Sequence, residues 1–174
     1  MNLVMTIIGQ DRPGLVESVA GLVAEHGGNW LESRMSRLGG QFAGILRVEV
    51  PDAKEPLLAA ALEKLGARGL RIVAHPDQPG APAKAPRLSV LEIVGQDRPG
   101  IVRQISAALA TRGVNVEELH TECVSGAMSG ETMFKATAKL GIPPSCVTAD
   151  LRQDLEKIAA DLIVEISLAD LTGA

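Results

Sequence analysis

The sequence predicts an α+β chain of two tandem units. Each has the element order β-α-β-β-α-β, folded as a four-stranded antiparallel sheet with both helices on one face. Three observations predict it. The hexapeptide Gly9-Gln10-Asp11-Arg12-Pro13-Gly14 returns as Gly95-Gln96-Asp97-Arg98-Pro99-Gly100, an offset of 86 in a chain of 174 residues. A proline-rich stretch lies between the copies. Apolar spacing switches between strand-like and helix-like in the same order in each half.

In the first half, Leu3 to Ile8 is a short apolar run rich in β-branched residues, expected as a strand buried on both faces. Gly9 to Arg12 is the turn. Arg12 precedes a proline and is pushed out of the helical region. Pro13 suits the first helical position, and Asp11 is placed to cap the free amides that follow. Leu15, Val16, Val19, Leu22 and Val23 recur at helical spacing, and Gly27-Gly28 ends that helix. Asn29 to Leu38 reads as a second strand with imperfect alternation. Gly39-Gly40 is a hairpin turn. Phe42 to Val50 is the third strand, with Phe42, Gly44, Leu46, Val48 and Val50 on one side, stopped by Pro51-Asp52. A second helix is expected from about Glu55 to Leu65, with Leu57, Leu58, Ala61, Leu62 and Leu65 as its stripe and Gly66 as its stop. Leu70 to Ala74 is the fourth strand.

Residues 76–86 carry Pro76, Pro79, Pro82 and Pro86 with Gly80 and three alanines, a semi-extended linker. The domains are therefore placed at 1–75 and 87–174. In the second, Leu88 to Val94 is a strand, and Ile101, Val102, Ile105, Ala108 and Leu109 repeat the helix stripe position for position. Gly113 closes that helix, and Asn115 stands 86 residues after Asn29. Val116 to Cys123 is the next strand, Val124 to Gly130 a longer tip, and Glu131 to Leu140 the third strand. Val147, Leu151, Leu155 and Ile158 line a helix, and Leu162 to Leu168 is the last strand. Strands two and three are expected side by side, with strands one and three parallel in the centre. Each sheet keeps one bare face, which tandem copies can cover by pairing edges or stacking sheets.

Composition narrows the function. Hydrophobic residues make up 46% of the chain and aromatics 2%, so the cores are aliphatic. A net charge of −4 and a pI near 5.4 argue against direct nucleic-acid binding, which draws its affinity from Lys and Arg on phosphates. Cys123 and Cys146 are expected as free thiols, since a disulfide scaffold is denser. The first residues lack a basic start and a cleavage site, and no apolar run approaches membrane-spanning length. A soluble, cytoplasmic protein is expected.

Chemistry concentrates at the two strand-to-helix corners. Free backbone N–H groups and the positive end of the helix dipole favour an anion there, including a small carboxylate. Gly14 and Gly100 put no side chain in the way. Asp11 and Asp97 can accept from an ammonium group, and Asn29 and Asn115 can donate and accept. The structural alternatives stand beside this reading. The aspartates serve equally as helix caps, Pro-Gly as a turn former, and the asparagines as left-handed residues after the helix glycines. Arg12 and Arg98 are expected in solvent. Trp30, the only tryptophan, is expected in the core or an interface.

A strand, then Asp-Arg-Pro-Gly-[Leu/Ile]-Val, an amphipathic helix, Gly-x-Asn, and a strand resemble the ACT domain, a small ferredoxin-like module that senses amino acids. Both copies match, so the resemblance spans nearly the whole chain outside the linker. It implies two tandem ferredoxin-like βαββαβ (ACT) domains. It implies ligands held between paired ACT domains by the strand-one-to-helix-one loop and the start of strand two. Carried over, those positions are Asp11, Gly14 and Asn29, and Asp97, Gly100 and Asn115. It also implies a non-enzymatic regulatory protein that binds a small amino acid, glycine or serine first, and controls a partner. The partner would be a transcriptional activator or a regulated enzyme, with a homodimer as the assembly, no cofactor, no direct nucleic acid and no membrane.

Other classes are weaker. His120 and Glu122 share a strand face while Cys123 points opposite, so no local Cys-His pair forms. His120 and Cys123 lack a second pair of metal ligands. His26 and His75 sit at element ends, where solvent is expected. An acylphosphatase needs a different anion loop. An RNA-binding sheet needs stacking aromatics that the first strand lacks in both copies. A protein-interaction scaffold without ligand, or a detached regulatory subunit of a metabolic enzyme, remains open.

Overall fold

The computed structural model of the chain describes residues 1–78, 85–125 and 130–171. Contacts divide it into two units, Met1–Gly80 and Ala81–Ala174. The first contains β1 (Asn2–Gln10), α1 (Leu15–Glu25), β2 (Asn29–Leu38), β3 (Gln41–Glu49), α2 (Glu55–Lys64) and β4 (Leu70–Pro76). The second contains β5 (Arg87–Gln96), α3 (Ile101–Thr111), β6 (Asn115–Ser125), β7 (Thr132–Ile142), α4 (Thr148–Leu162) and β8 (Val164–Asp170). Of the expected linker, Pro76 ends β4 and residues 79–84 lie outside the described residues.

Each unit is one four-stranded sheet, in the orders β2-β3-β1-β4 and β6-β7-β5-β8. All pairings are antiparallel. This corrects the expectation that strands one and three run parallel. A helix crossover returns the chain in its starting direction, so β2 is parallel to β1 but one place removed. The hairpin then turns β3 back between them, opposed to both.

β1 also departs from the expected two-sided burial. Leu3, Met5 and Ile7 are buried, whereas Thr6 faces solvent and Ile8 is 49% exposed. The helices cover one face only, so the period-2 alternation of the strand decides which half of an apolar run goes inside. Leu3, Met5, Val19, Leu46, Leu58 and Leu70 anchor the first core. Leu91, Leu140, Leu151 and Leu155 anchor the second. Each such side chain contributes about 1.5–3 kcal/mol on burial.

The helices are narrower in contact than their stripes suggest. α1 buries Leu15, Val19 and Val23, and α3 buries Ile101, Ile105 and Leu109. Val16 and Val102, the second stripe residues, are both 45% exposed. Leu57 on α2 and Val147, just ahead of α4, are also solvent-facing. A helix on a flat sheet buries about one residue per turn fully, leaving its flanks open. α2 does not stop at Gly66: a 3-10 turn continues over Leu65–Arg68, and Gly69 at φ +79° closes it. The last strand starts at Val164, not Leu162, because Leu162 is the buried last residue of α4. Ile163 makes the intervening turn at φ +55°, the one described non-glycine residue with positive φ.

The imperfect alternation of β2 has a defined cause. Its register against β3 shifts between Trp30 and Glu32, a bulge at Leu31. β6 shifts at the equivalent place, between Val116 and Glu118. The extra residue reverses the faces of everything before it. The hairpin tips differ. Gly39 and Gly40 turn at φ +56° and +78°, the double left-handed turn that suits twisted strands. In the second unit the ladder extends to Ser125 and Thr132, and residues 126–129 of the expected longer tip lie outside the described residues.

Candidate functional site

The repeated hexapeptide forms the same corner in both units. Gly9 and Gly95 are glycines because the neighbouring strand leaves no room. A Cβ on Gly9 would stand 2.6 Å from the Gly69 carbonyl oxygen, and one on Gly95 2.5 Å from Val164 Cγ1. Gly14 and Gly100 are glycines for a different reason: both adopt left-handed backbone, at φ +88° and +96°, immediately before the helix. Space around them is open. The Gly14 carbonyl accepts from the Ser18 N–H and hydroxyl at 2.9 and 2.8 Å, and the Gly100 carbonyl from the Gln104 N–H at 3.0 Å. Turn geometry therefore accounts for both glycines, as the turn-former alternative expects.

The helices start at Leu15 and Ile101, so Pro13 and Pro99 lie in the preceding turn rather than at the first helical position. Neither Asp11 nor Asp97 caps its helix: both N-termini lack a side-chain cap hydrogen bond. The extra left-handed glycine rotates the aspartate away from the first-turn amides. Instead the Asp11 N–H donates to the Gly40 carbonyl and the Asp97 N–H to the Thr132 carbonyl, each at 2.9 Å, tying the corner to the hairpin.

The carboxylates then diverge. Asp11 is half-buried against Arg37 of β2, with Oδ2 to Nε at 2.5 Å. Asp97 is exposed and carries no ion pair among the described residues. The strand registers put Cys123 in the place of Arg37, and Cys123 is a free, exposed thiol. Arg12 is exposed as expected but donates to the Arg68 carbonyl at 2.7 Å, pinning the corner to the end of the 3-10 turn. Arg98, expected in solvent, is half-buried and donates to Gln96 Oε1 at 3.4 Å. The first turn of α1 contains Glu17, while that of α3 contains no acid. The two corners thus differ in how their charges are paired, not in the sign of their named charges, which cancel in each: Asp11, Arg12, Glu17 and Arg37 in the first, Asp97 and Arg98 in the second.

Asn29 and Asn115 are exposed first residues of β2 and β6. Neither has positive φ, and the left-handed turns belong to Gly27 and Gly113, which removes the turn explanation for the asparagines. Asn115 donates to Glu117 Oε1 at 2.7 Å, and Glu117 is the bulge residue. Within one unit the asparagine does not meet the corner. Gln10 pairs with Gln41 and Gln41 with Leu38, whereas Asn29 pairs with Glu49 and Glu49 with Asn2. The two sets stand at opposite ends of the sheet, roughly 27 Å apart at about 3.4 Å per residue.

His26 and Arg112 occupy matching positions after the first helix of each unit. The His26 ring nitrogen Nδ1 lies 2.7 Å from the Leu22 carbonyl. Arg112 is committed to α4: it donates to Asp154 at 2.6 and 2.8 Å and to Asp150 at 3.3 Å. The hydrogen bond to Asp154 holds the guanidinium above its ordinary pKa. Trp30 packs against the first core, as expected, with its indole N–H 3.2 Å from Ser33 Oγ. Among the described residues no three His, Cys, Asp or Glu side chains gather as a metal site. No described helix is long and apolar enough to cross a membrane.

Sequence reasoning missed Arg37 and Glu117. Arg37 precedes the hairpin by two residues, so a charge complementary to Asp11 was visible there. Glu117 was hidden by the bulge that turns it toward Asn115.

Two antiparallel βαββαβ sheets in tandem, each with helices on one face and an uncapped helix start beside the first strand, define a ferredoxin-like regulatory module. The family model described as ACT domain matches residues 2–74, and a second ACT domain model matches residues 89–135. The chain belongs to the ACT-domain family. It is 25% identical over 175 residues to the glycine cleavage system transcriptional repressor of Escherichia coli, covering 95% of this chain and 88% of that protein. It is 35% identical over 80 residues to the UPF0237 protein MJ1558 of Methanocaldococcus jannaschii, covering 44% of this chain and 89% of that one. The solved structure of an unknown protein from Galdieria sulphuraria aligns with a TM-score of 0.88 at 27% identity, covering 98% of both chains.

Proposed function

We propose that this tandem ACT protein is a non-enzymatic regulator that binds a small amino acid and passes its occupancy to a partner protein. The partner is a transcriptional regulator, as the name of the Escherichia coli relative suggests, or an enzyme of amino-acid metabolism. The observation that carries the reading is the pair of uncapped helix starts, where first-turn amides await an acceptor. A ligand carboxylate supplies one. Gly100 and the Asp97 carboxylate, which has no ion pair among the described residues and can accept from a ligand ammonium, make the second corner the favoured one, with Gly14 and Asp11 as its restrained counterpart. Because Asn29 and Asn115 lie at the far end of their own sheets, a ligand held by both a corner and an asparagine draws them from two ACT units. A homodimer supplies such a pair.

Calorimetry of the full chain against the twenty amino acids tests this. Micromolar to millimolar binding of one small amino acid, lost in Asp97→Ala, is expected. Silence across the panel from folded protein would leave the ligand-free scaffold as the surviving reading.

A further inference from the structure

The helices leave one face of each sheet bare, and the two bare faces differ. In the first unit Val4, Thr6 and Ile8 of β1 lie beside Ala43 and Ile45 of β3, and Val73 of β4 continues the patch. Ile8, Ile45 and Val73 are 49%, 45% and 43% exposed. Charges stand around them. Glu32 and Arg34 on β2 pair at 3.1 Å, Arg47 lies 3.8 Å from Asp77, and Arg71 and His75 line the β4 edge. An apolar centre inside a charged rim is the anatomy of a protein interface.

The second unit has the same face with its centre made polar. The registers put Glu92 in the place of Thr6, Thr137 in that of Ile45, Lys135 in that of Ala43 and Ser167 in that of Val73. Ser167 donates to Glu92 Oε2 at 3.3 Å, and Lys139 pairs with Glu118 at 3.6 Å. That face suits water. The first unit exposes hydrocarbon at the same positions, which favours a protein cover.

We infer that the bare face of the first unit packs on the same face of a second copy of the chain, about a two-fold axis lying in the interface along the strands. Register and charge choose that axis. Rotation about it lays β2 of one copy over β4 of the other and β3 over β1, with each rung at its own level. Glu32 then stands over His75, Ile45 over Thr6 and Ala43 over Ile8, each contact made twice. No like charges of the rim are opposed. An axis across the strands, centred on the same patch, would stack Arg34 on its own copy. The second unit cannot repeat the arrangement, because Glu122 would stand over Glu165 and Glu92 would be buried without a counter-charge. At about 4.8 by 6.8 Å for each outward residue, the four strands offer roughly 500 Å² per copy. Both copies together give about 1,000 Å², the lower bound for a specific interface. This contact is not the one that would bring a corner to an asparagine. The rotation keeps Asp11 and Asn29 at opposite ends, so the interface stands without an amino-acid ligand.

Sedimentation equilibrium of the full chain tests it, and a dimer with a micromolar dissociation constant is expected. Ile45→Glu and Thr6→Glu, both at exposed positions, are expected to weaken the dimer about ten-fold or more with the circular dichroism spectrum unchanged, since each buries two carboxylates. Thr137→Glu, the matching change on the second unit, is expected to leave it unaltered. His75→Glu opposes Glu32 of the other copy and is expected to weaken the dimer, and adding Glu32→Lys is expected to restore it. Within one chain those positions are three strands apart, about 14 Å, so restoration reports the second copy. If Ile45→Glu fails to fold, this rim pair decides. A chain still monomeric at about 100 μM would overturn the interface. A dimer indifferent to Ile45→Glu and Thr6→Glu would also overturn it, by placing the contact elsewhere. Equal weakening by Thr137→Glu would overturn the pairing of the first unit with itself.

Discussion

Arg37 holds the carboxylate of Asp11 at 2.5 Å, while its register partner in the second unit, Cys123, offers Asp97 no charge. One duplicated aspartate is thereby committed to its own hairpin and the other is left to solvent. Asp11→Ala should therefore lower stability by about 0.2–1 kcal/mol, the range for partly exposed ion pairs. Asp97→Ala should leave the urea midpoint within error. A loss in Asp97→Ala as large as in Asp11→Ala would show that the second carboxylate has a structural partner after all.

Gly9 and Gly95 predict a steric cost. Alanine at either position drives a methyl group into the adjacent strand, at 2.6 Å from a carbonyl oxygen in one unit and 2.5 Å from a valine methyl in the other. Gly9→Ala and Gly95→Ala should each destabilise by about 1–3 kcal/mol. Both should cost similar amounts, because a Cβ on Gly95 also stands 2.8 Å from the Val164 Cα, backbone that cannot rotate aside. Denaturant titration of the two variants gives the comparison.

Ile163 is a site for stabilisation. It holds φ +55° with 67% of its surface exposed, so it gains little from burial while straining its backbone. Its counterpart before β4 is Gly69 at φ +79°. Ile163→Gly should raise stability by about 0.5–1 kcal/mol, the relief of left-handed strain less the extra freedom of unfolded glycine. A lower melting temperature in Ile163→Gly would mean that the exposed side chain makes a contact worth more than the strain.

Leu58 and Leu155 sit in separate cores and are almost fully buried. Leu58→Ala and Leu155→Ala should each cost about 2–5 kcal/mol. Hydrogen exchange resolved by residue should quicken first in the unit that carries the cavity. Uniform acceleration over both would show that they unfold as one.

The element order was legible in the sequence because Asn29 to Leu38, Gly39-Gly40 and the Leu15, Val19, Val23 spacing are local signals. What depended on distant contacts was not. The strand Leu3 to Ile8 is apolar throughout, and only the one-sided helix layer decides that Ile8 faces water. The bulge at Leu31 is invisible to a period-2 count, which sees only broken alternation. At the corner, Asp11 had the spacing of a cap, but Gly14 in left-handed backbone turns it toward Arg37 instead. Gly9 looked like a turn residue, and its reason lies sixty residues away at the Gly69 carbonyl.

The hairpin of the second unit gains its length beyond Ser125 and Thr132, while every rung below them keeps its first-unit partner. Lengthening is thus absorbed where strands have already closed, and loop entropy grows slowly with added residues. Because the Thr132 carbonyl accepts from the Asp97 N–H, that added length is anchored at its base to the second strand-to-helix corner, and a change of hairpin length there would be felt first at Asp97.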